Sequence, residues 1–427
     1  MTMIAVCALW SLLFSVLLAE PVQAADLIRA LLFQEAQRVL ITSGRGVVVQ
    51  FPDGAEQFVT TPVIVTQLEG GMTLNGARAP SDLVNVRGRG DDLVITVAEA
   101  LVSDRQQDWF AGKVPPVGGP AIPPADAGPP PMGVLRGTAP LHTLVLGGAL
   151  QVIRRGKSLM VINEVDLEEY VKGVVPSEMS AGWHPEALKA QAVAARTYAL
   201  YQRMMNAGRD YDVVAGIQDQ VYRGRYGVDE RVQQAVEATR GLVLMHQNAP
   251  VLAAFSSTAA GPTEDAINVW SKDLPYLKGV ECPFDTNSPY YRWRAEFTLQ
   301  ELENSLRRQG LAVGTIASVT PFSFSRAGRV GRLRILHSDG ELILRGTDFR
   351  RVVGYTAIRS TQFEVQSVGR TVVLAGRGSG HAVGLCQWGA KELAELGYPF
   401  AVILQYYFPG TELKDARFGA QAPSPTP

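Results

Sequence analysis

Residues 173–198 read GVVPSEMSAGWHPEALKAQAVAARTY. Pro185 suits the first position of a helix, where the backbone amide has no partner anyway. From there Leu188, Ala192, Ala195 and Ala199 recur at helical spacing, a small-residue stripe that lets a neighbour pack close. The pattern predicts a helix from about Pro185 to Asn206. Ahead of it, Pro176-Ser177-Glu178-Met179 reads as a turn. A glutamate there is either a surface carboxylate near a helix start or the acid of an active site.

Working outward, "HTLVLGGALQVIRR" (142–155) and "SLMVINEVDL" (158–167) read as strands leading into the turn. Downstream, "RVQQAVEATRGLVLM" (231–245) is a helix ending at Gly241 and passing into a strand. "TLQELENSLRRQG" carries a capping box at Thr298 and Glu301 and stops at Gly310. "GRLRILHSDGELILRG" is a hairpin folded at Asp339-Gly340. The last folded stretch runs from the glycines around 376–384 into a helix ending near Gly397 and a second beginning near Pro399.

Residues 27 to about 103 alternate or run apolar in short stretches broken by Gly, Asp and Asn, which signals β-hairpins. Residues 111–133 are Pro/Gly-rich without apolar periodicity and read as a linker. The expected organisation is a leader at 1–24, a β-rich region at 25–110, the linker, a main domain at 134–414 and a disordered tail at 415–427. Helices and antiparallel strands mix without a βαβ rhythm, so the expected fold class is α+β.

The totals exclude some functions. The chain has 427 residues, 46% hydrophobic and 19% charged, with formal net charge -1. That balance lacks the basic face of a nucleic-acid binder. An apolar run from Ile4 to Ala19 precedes Val22-Gln23-Ala24, whose small residues favour cleavage after Ala24 as in a secretory signal peptide. No Lys or Arg precedes the run, which departs from the usual leader; export is the expectation. Cys7 would leave with that segment; Cys282 and Cys386 remain, either paired or as free half-buried thiols.

The five histidines show no paired ligand spacing and the two remaining cysteines are far apart in sequence, so no metal is expected. The glycine loop lacks a P-loop ending and reads instead as backbone that approaches another surface closely. Within it stands His381, with Gln387 and Trp388 shortly after, a set that suits either a sugar groove or packing. Cys386 and His381 form a possible acyl-transfer pair, though a small core residue explains the cysteine equally well. A glycosidase normally needs two carboxylates. Asp219, Glu264 and Asp265 are distant partners for Glu178 that only folding brings near. A lytic transglycosylase needs one: the sugar's 6-hydroxyl attacks the anomeric carbon, and one side chain donates and then accepts the proton. Val174, Val175, Pro176, Met179 and Trp183 are apolar neighbours that would raise its pKa.

From about 134 to 414 the chain resembles the SpoIID/LytB-type domain, the family of the stage II sporulation protein D. The likeness lies in four separated blocks: 161–200 ("VINEVDLEEYVKGVVPSEMSAGWHPEALKAQAVAARTYAL"), 218–224 ("QDQVYRG"), 254–280 ("AFSSTAAGPTEDAINVW" with "LPYLKGV") and 376–413. The resemblance implies cleavage of peptidoglycan glycan strands, preferably stripped of stem peptides, with Glu178 as the catalytic acid. It implies Gln220, Tyr222, His381 and Gln387 as candidates for the groove wall. No cofactor is implied. A second function from the same family is a non-catalytic, peptidoglycan-binding modulator of a cell-wall amidase. The departures are Ser379 for a tryptophan, Ala382 for a glycine and Cys386 for a serine, and a 255–260 stretch without the His and Cys that hold zinc in some members.

Overall fold

The computed structural model describes residues 27–60, 62–98 and 142–416. The proposed leader, the Pro/Gly-rich linker and all but the start of the tail lie outside the described residues. Among the described residues no helix is long and apolar enough to cross a membrane.

The fold is α+β. A seven-stranded sheet runs in the order Val213–Val214, Leu27–Ala36, Ser158–Asp166, Ala149–Arg155, Leu83–Gly88, Val47–Gln50, Glu56–Val59. A six-stranded sheet takes His142–Leu146, Leu93–Ala98, Arg38–Thr42, Val63–Leu68, Gly71–Leu74 and Ala77–Arg78. Strands from both sides of the Pro/Gly-rich stretch therefore share both sheets. Leu27–Ala36 pairs antiparallel with Ser158–Asp166, Leu27 opposite Asp166 and Ala36 opposite Leu159. The two apolar runs of 39–51 do not form a hairpin with each other. Arg38–Thr42 pairs with Val63–Leu68 and Leu93–Ala98, whereas Val47–Gln50 pairs with Glu56–Val59 and Leu83–Gly88. Alternation sets each strand's buried face but leaves its partner open.

Helix α1 (Leu167–Glu178) follows the strand Ser158–Asp166 directly. The Asp166 carboxylate caps it, accepting from the amides of Glu168 and Glu169 at 2.9 and 3.1 Å. Helix α2 (Pro185–Met205) has Pro185 at its start and His184 as cap. The stripe of Leu188, Ala192, Ala195 and Ala199 is fully buried, as the spacing predicts. The remaining helices are α3 (Glu230–Ala238), α4 (Ala266–Trp270), α5 (Leu299–Arg308), α6 (Gly346–Val353), α7 (Gln387–Glu395) and α8 (Phe400–Tyr407). The Thr298–Glu301 capping box and the hairpin at 337–340 are both present.

A large core unites the sheets with α1, α2, α3, α7 and α8. A second, separate core forms between 292 and 377 around Trp293, Leu306, Leu333, Phe349 and Leu374. Sequence periodicity did not mark this boundary, because the inserted unit uses the same strand and helix patterns as the body.

Candidate functional site

Glu178 lies at the C-terminal end of α1, which corrects the expectation of a turn: Pro176 stands inside the helix and Met179 ends it. Proline has no amide to bond back, yet its fixed φ is helical, so a last-turn proline need not unwind the helix. Gly173, five residues before Glu178, lets the helix close on the neighbouring segment. A Cβ there would stand 2.5 Å from the Gly224 carbonyl and 2.6 Å from the Tyr222 ring.

Val174, Val175, Pro176, Met179 and Trp183 are all buried. Burial pushes the Glu178 carboxyl up to about 7, while hydrogen bonds from the Val221 amide and the Gln387 side chain pull the other way. Val221 N–H donates to Oε1 at 2.8 Å and Gln387 Nε2 to Oε2 at 3.4 Å. No Lys or Arg contributes to the shift. The negative end of the α1 dipole also disfavours an anion at a helix C-terminus. Glu178 nonetheless keeps part of its surface open to solvent. The result is a carboxyl that exchanges its proton near neutral pH, on a residue that is only part-buried.

Gln387, at the first turn of α7, therefore meets Glu178, and it is itself 1% exposed. Its amide also donates to Gln191 Oε1 of α2 at 3.4 Å. Trp388 beside it packs edge-on against Trp183, centroids 5.1 Å apart. Gln191 was missed from the sequence; its signal was an amide on an otherwise small and apolar helix face.

Gln220 and Tyr222, expected on a groove wall, turn inward instead, at 0% and 2% exposed. Gln220 accepts from the Tyr170 hydroxyl at 3.0 Å and donates to the Ala195 carbonyl at 3.3 Å. Tyr222 donates to Asn163 Oδ1 at 2.8 Å. The segment reaches the site through backbone alone, by the Val221 amide between them.

His381 is half-buried, with Nδ1 accepting from the Val383 amide at 3.0 Å and its ring against the edge of Trp270 at 4.9 Å. Burial, reinforced by the Arg350 charge, pushes its pKa down to about 3, so the imidazole stays neutral at physiological pH. No hydrogen bond joins it to Glu178 or Gln387 among the described residues. The glycine loop packs as closely as read: a Cβ on Gly380 would stand 2.5 Å from Ser256 Cβ. Ala382, in place of a glycine, holds φ at 62°, a region costly for a residue with a Cβ.

The other candidate carboxylates are engaged elsewhere. Asp219 accepts from Tyr198, Gln202 and the Val214 amide at 2.8, 2.9 and 2.8 Å. Glu264 accepts from Asn268 at 2.8 Å and from Ser325, and Asp265 takes the Gly279 amide. None hydrogen-bonds with the groups that touch Glu178. Cys386 is buried away from His381 and donates instead to Asp285 Oδ2 at 3.2 Å, which removes the basis for an acyl-transfer pair.

Comparison with known proteins identifies the family. Residues 155–246 match the family described as stage II sporulation protein, and 268–384 match a domain of unknown function, DUF8618. The chain is 35% identical over 269 residues to an uncharacterized protein of Brachyspira hyodysenteriae, spanning 63% of this chain and 72% of that one. It is 34% identical over 273 residues to stage II sporulation protein D of Bacillus subtilis, spanning 60% and 76%. Likeness to the amidase enhancer of Bacillus subtilis is 30% over 291 residues, spanning 57% of this chain and 40% of that one. The chain belongs to the stage II sporulation protein D family.

Proposed function

We propose that the protein cleaves peptidoglycan glycan strands as a lytic transglycosylase, with Glu178 as the one acid and base. The observation that carries this reading is the carboxyl at the end of α1: pushed up to about 7 by burial, without a cation, on a residue that is itself only part-buried. Near neutral pH a substantial fraction is protonated and able to donate. Its proton passes to the glycosidic oxygen, and the bond to C1 of N-acetylmuramic acid breaks. The C6 hydroxyl of that sugar closes on C1 and returns its proton to Glu178, leaving a 1,6-anhydro end and a free 4-hydroxyl. No water is consumed and no second carboxylate is needed. Gln387 and the Val221 amide orient the carboxyl through both steps. This chemistry lies outside the cytoplasm, in keeping with the apolar leader.

The test is incubation of residues 25–427 with glycan strands lacking stem peptides, beside Glu178→Gln, with mass spectrometry of the fragments. Anhydro ends from the native protein and none from the variant support the reading. Reducing ends mean hydrolysis with a second carboxylate. A second reading, a glycan-binding modulator of a wall amidase, rests on the likeness to the amidase enhancer. Glycan bound equally by both proteins, with no cleavage, supports that one.

A further inference from the structure

Cys282 and Asp285 bracket a single turn of 3-10 helix at 283–285, and Cys386 immediately precedes α7. Folding brings these sequence-distant groups together: the two sulfurs and a carboxylate oxygen all lie within 4.8 Å of one another. A tetrahedral centre with metal–sulfur bonds of about 2.3 Å and metal–oxygen bonds of about 2.0 Å has edges of about 3.5–3.8 Å, so closing on an ion asks for movements of at most about 1 Å. The Cys386–Asp285 edge is already 3.2 Å. We propose that Cys282, Asp285 and Cys386 hold a divalent cation of the zinc class.

Independent support comes from Asp285. It is 0% exposed, and its Oδ2 accepts from the Ala260 amide at 2.7 Å and from the Cys386 thiol. Its Oδ1 is buried with no partner among the described residues. A buried acceptor left unsatisfied is costly, and a cation is the ligand a carboxylate oxygen beside two sulfurs selects. Cys386 Sγ accepts the Ala259 amide at 3.3 Å, which holds the sulfur in place beside the carboxylate. The Tyr407 hydroxyl, 3.3 Å from Cys282 Sγ, adds to the polar lining.

On loading, both thiols lose their protons to solvent and both sulfurs bond the ion. The buried Arg329, on whose guanidinium the charges of Cys386, Asp285 and Cys282 act, offsets the remaining negative charge. The centre ties the 282–285 turn to the residue before Gln387, so it braces the start of α7. It does not depend on the cleavage reading.

The test uses the full chain, purified without chelator, for elemental analysis and cobalt(II) substitution. Expected are one zinc per chain and, with cobalt, the near-ultraviolet absorption of a thiolate complex, both lost in Cys386→Ser and Cys282→Ser. If those variants do not fold, cobalt absorption by the native chain still decides, because Cys7 is the sole other source of a thiolate. Absence of retained metal and of that absorption overturns the site. So does an intact mass two hydrogens low, which would mean a Cys282–Cys386 disulfide, or metal retained undiminished in folded variants.

Discussion

Helix α1 carries the buried Glu168 in its first turn and Glu178 at its last residue, and their surroundings are opposite. Glu168 is gripped by Arg196, Nε to Oε1 at 2.8 Å and Nη2 to Oε2 at 2.6 Å, and Oε1 takes the Gly241 amide at 3.2 Å. Arg196 is 0% exposed and also donates to the carbonyls of Leu242 and Val236. Glu178 has one short backbone contact, one long amide contact and no cation. The first carboxylate locks α1 to α2 and to the strand after α3. The second is left short of partners, and a carboxyl short of partners is one whose proton can be exchanged.

The comparison is sharpened first by Glu178→Gln. Glycan cleavage should fall by about 10²–10⁴, the usual worth of a positioned acid, with the fold intact by circular dichroism. A variant that still cleaves at native rate would break the contrast. Glu168→Gln should act on stability instead, costing about 3–5 kcal/mol by leaving Arg196 buried without its counter-charge. Urea denaturation reads that loss, and a cost near zero would mean the pair contributes nothing net.

The pH dependence separates the two ends again. The folded pKa of Glu178, about 7, stands above the ordinary glutamate value of 4.5. Its burial therefore costs nothing below about pH 4.5, and stability declines as pH rises toward 7, by up to about 3 kcal/mol. Urea midpoints at pH 4 and pH 8 should show Glu178→Gln gaining on the native protein at the higher pH. Cleavage should decline above about pH 7 as the acid ionises. Gln387→Ala removes a bond that favours the charged form, so the alkaline limb of the rate profile should move up, by less than about one pH unit. The smallest effect is at Ala382: replacement by Gly should stabilise by about 1 kcal/mol, read in a thermal melt, by relieving a positive φ.

Helix α2 was legible because Pro185 and its buried stripe each point to one structure. The two helices flanking Gly397 were legible for the same kind of reason. Glu178 stood out through its apolar neighbours, but not its place on a helix end, since Pro176 reads as a breaker unless the preceding turns are already helical. Gln220 and Tyr222 misled because a motif's position does not say which way its side chains face. There the amide between them touches Glu178. The Cys282–Asp285–Cys386 cluster was invisible because ligand spacing is a local signal and this convergence is tertiary. The inserted unit hid for a related reason: its edges are strands that pair with each other, not a change in composition.

That last pairing has a mechanical consequence. Arg292 lies opposite Arg377 on neighbouring strands, so the 292–377 unit departs and returns through one narrow stem. Its orientation must then come from noncovalent fastenings: Arg329 on the Ala259 carbonyl at 2.6 Å, Arg326 on that of Gly279 at 3.1 Å, Arg345 on those of Asn268 and Val269 at 3.1 and 3.0 Å, and Ser325 on the Glu264 carboxylate. Three arginines and a serine thus act as latches on a unit that the chain tethers at a single point.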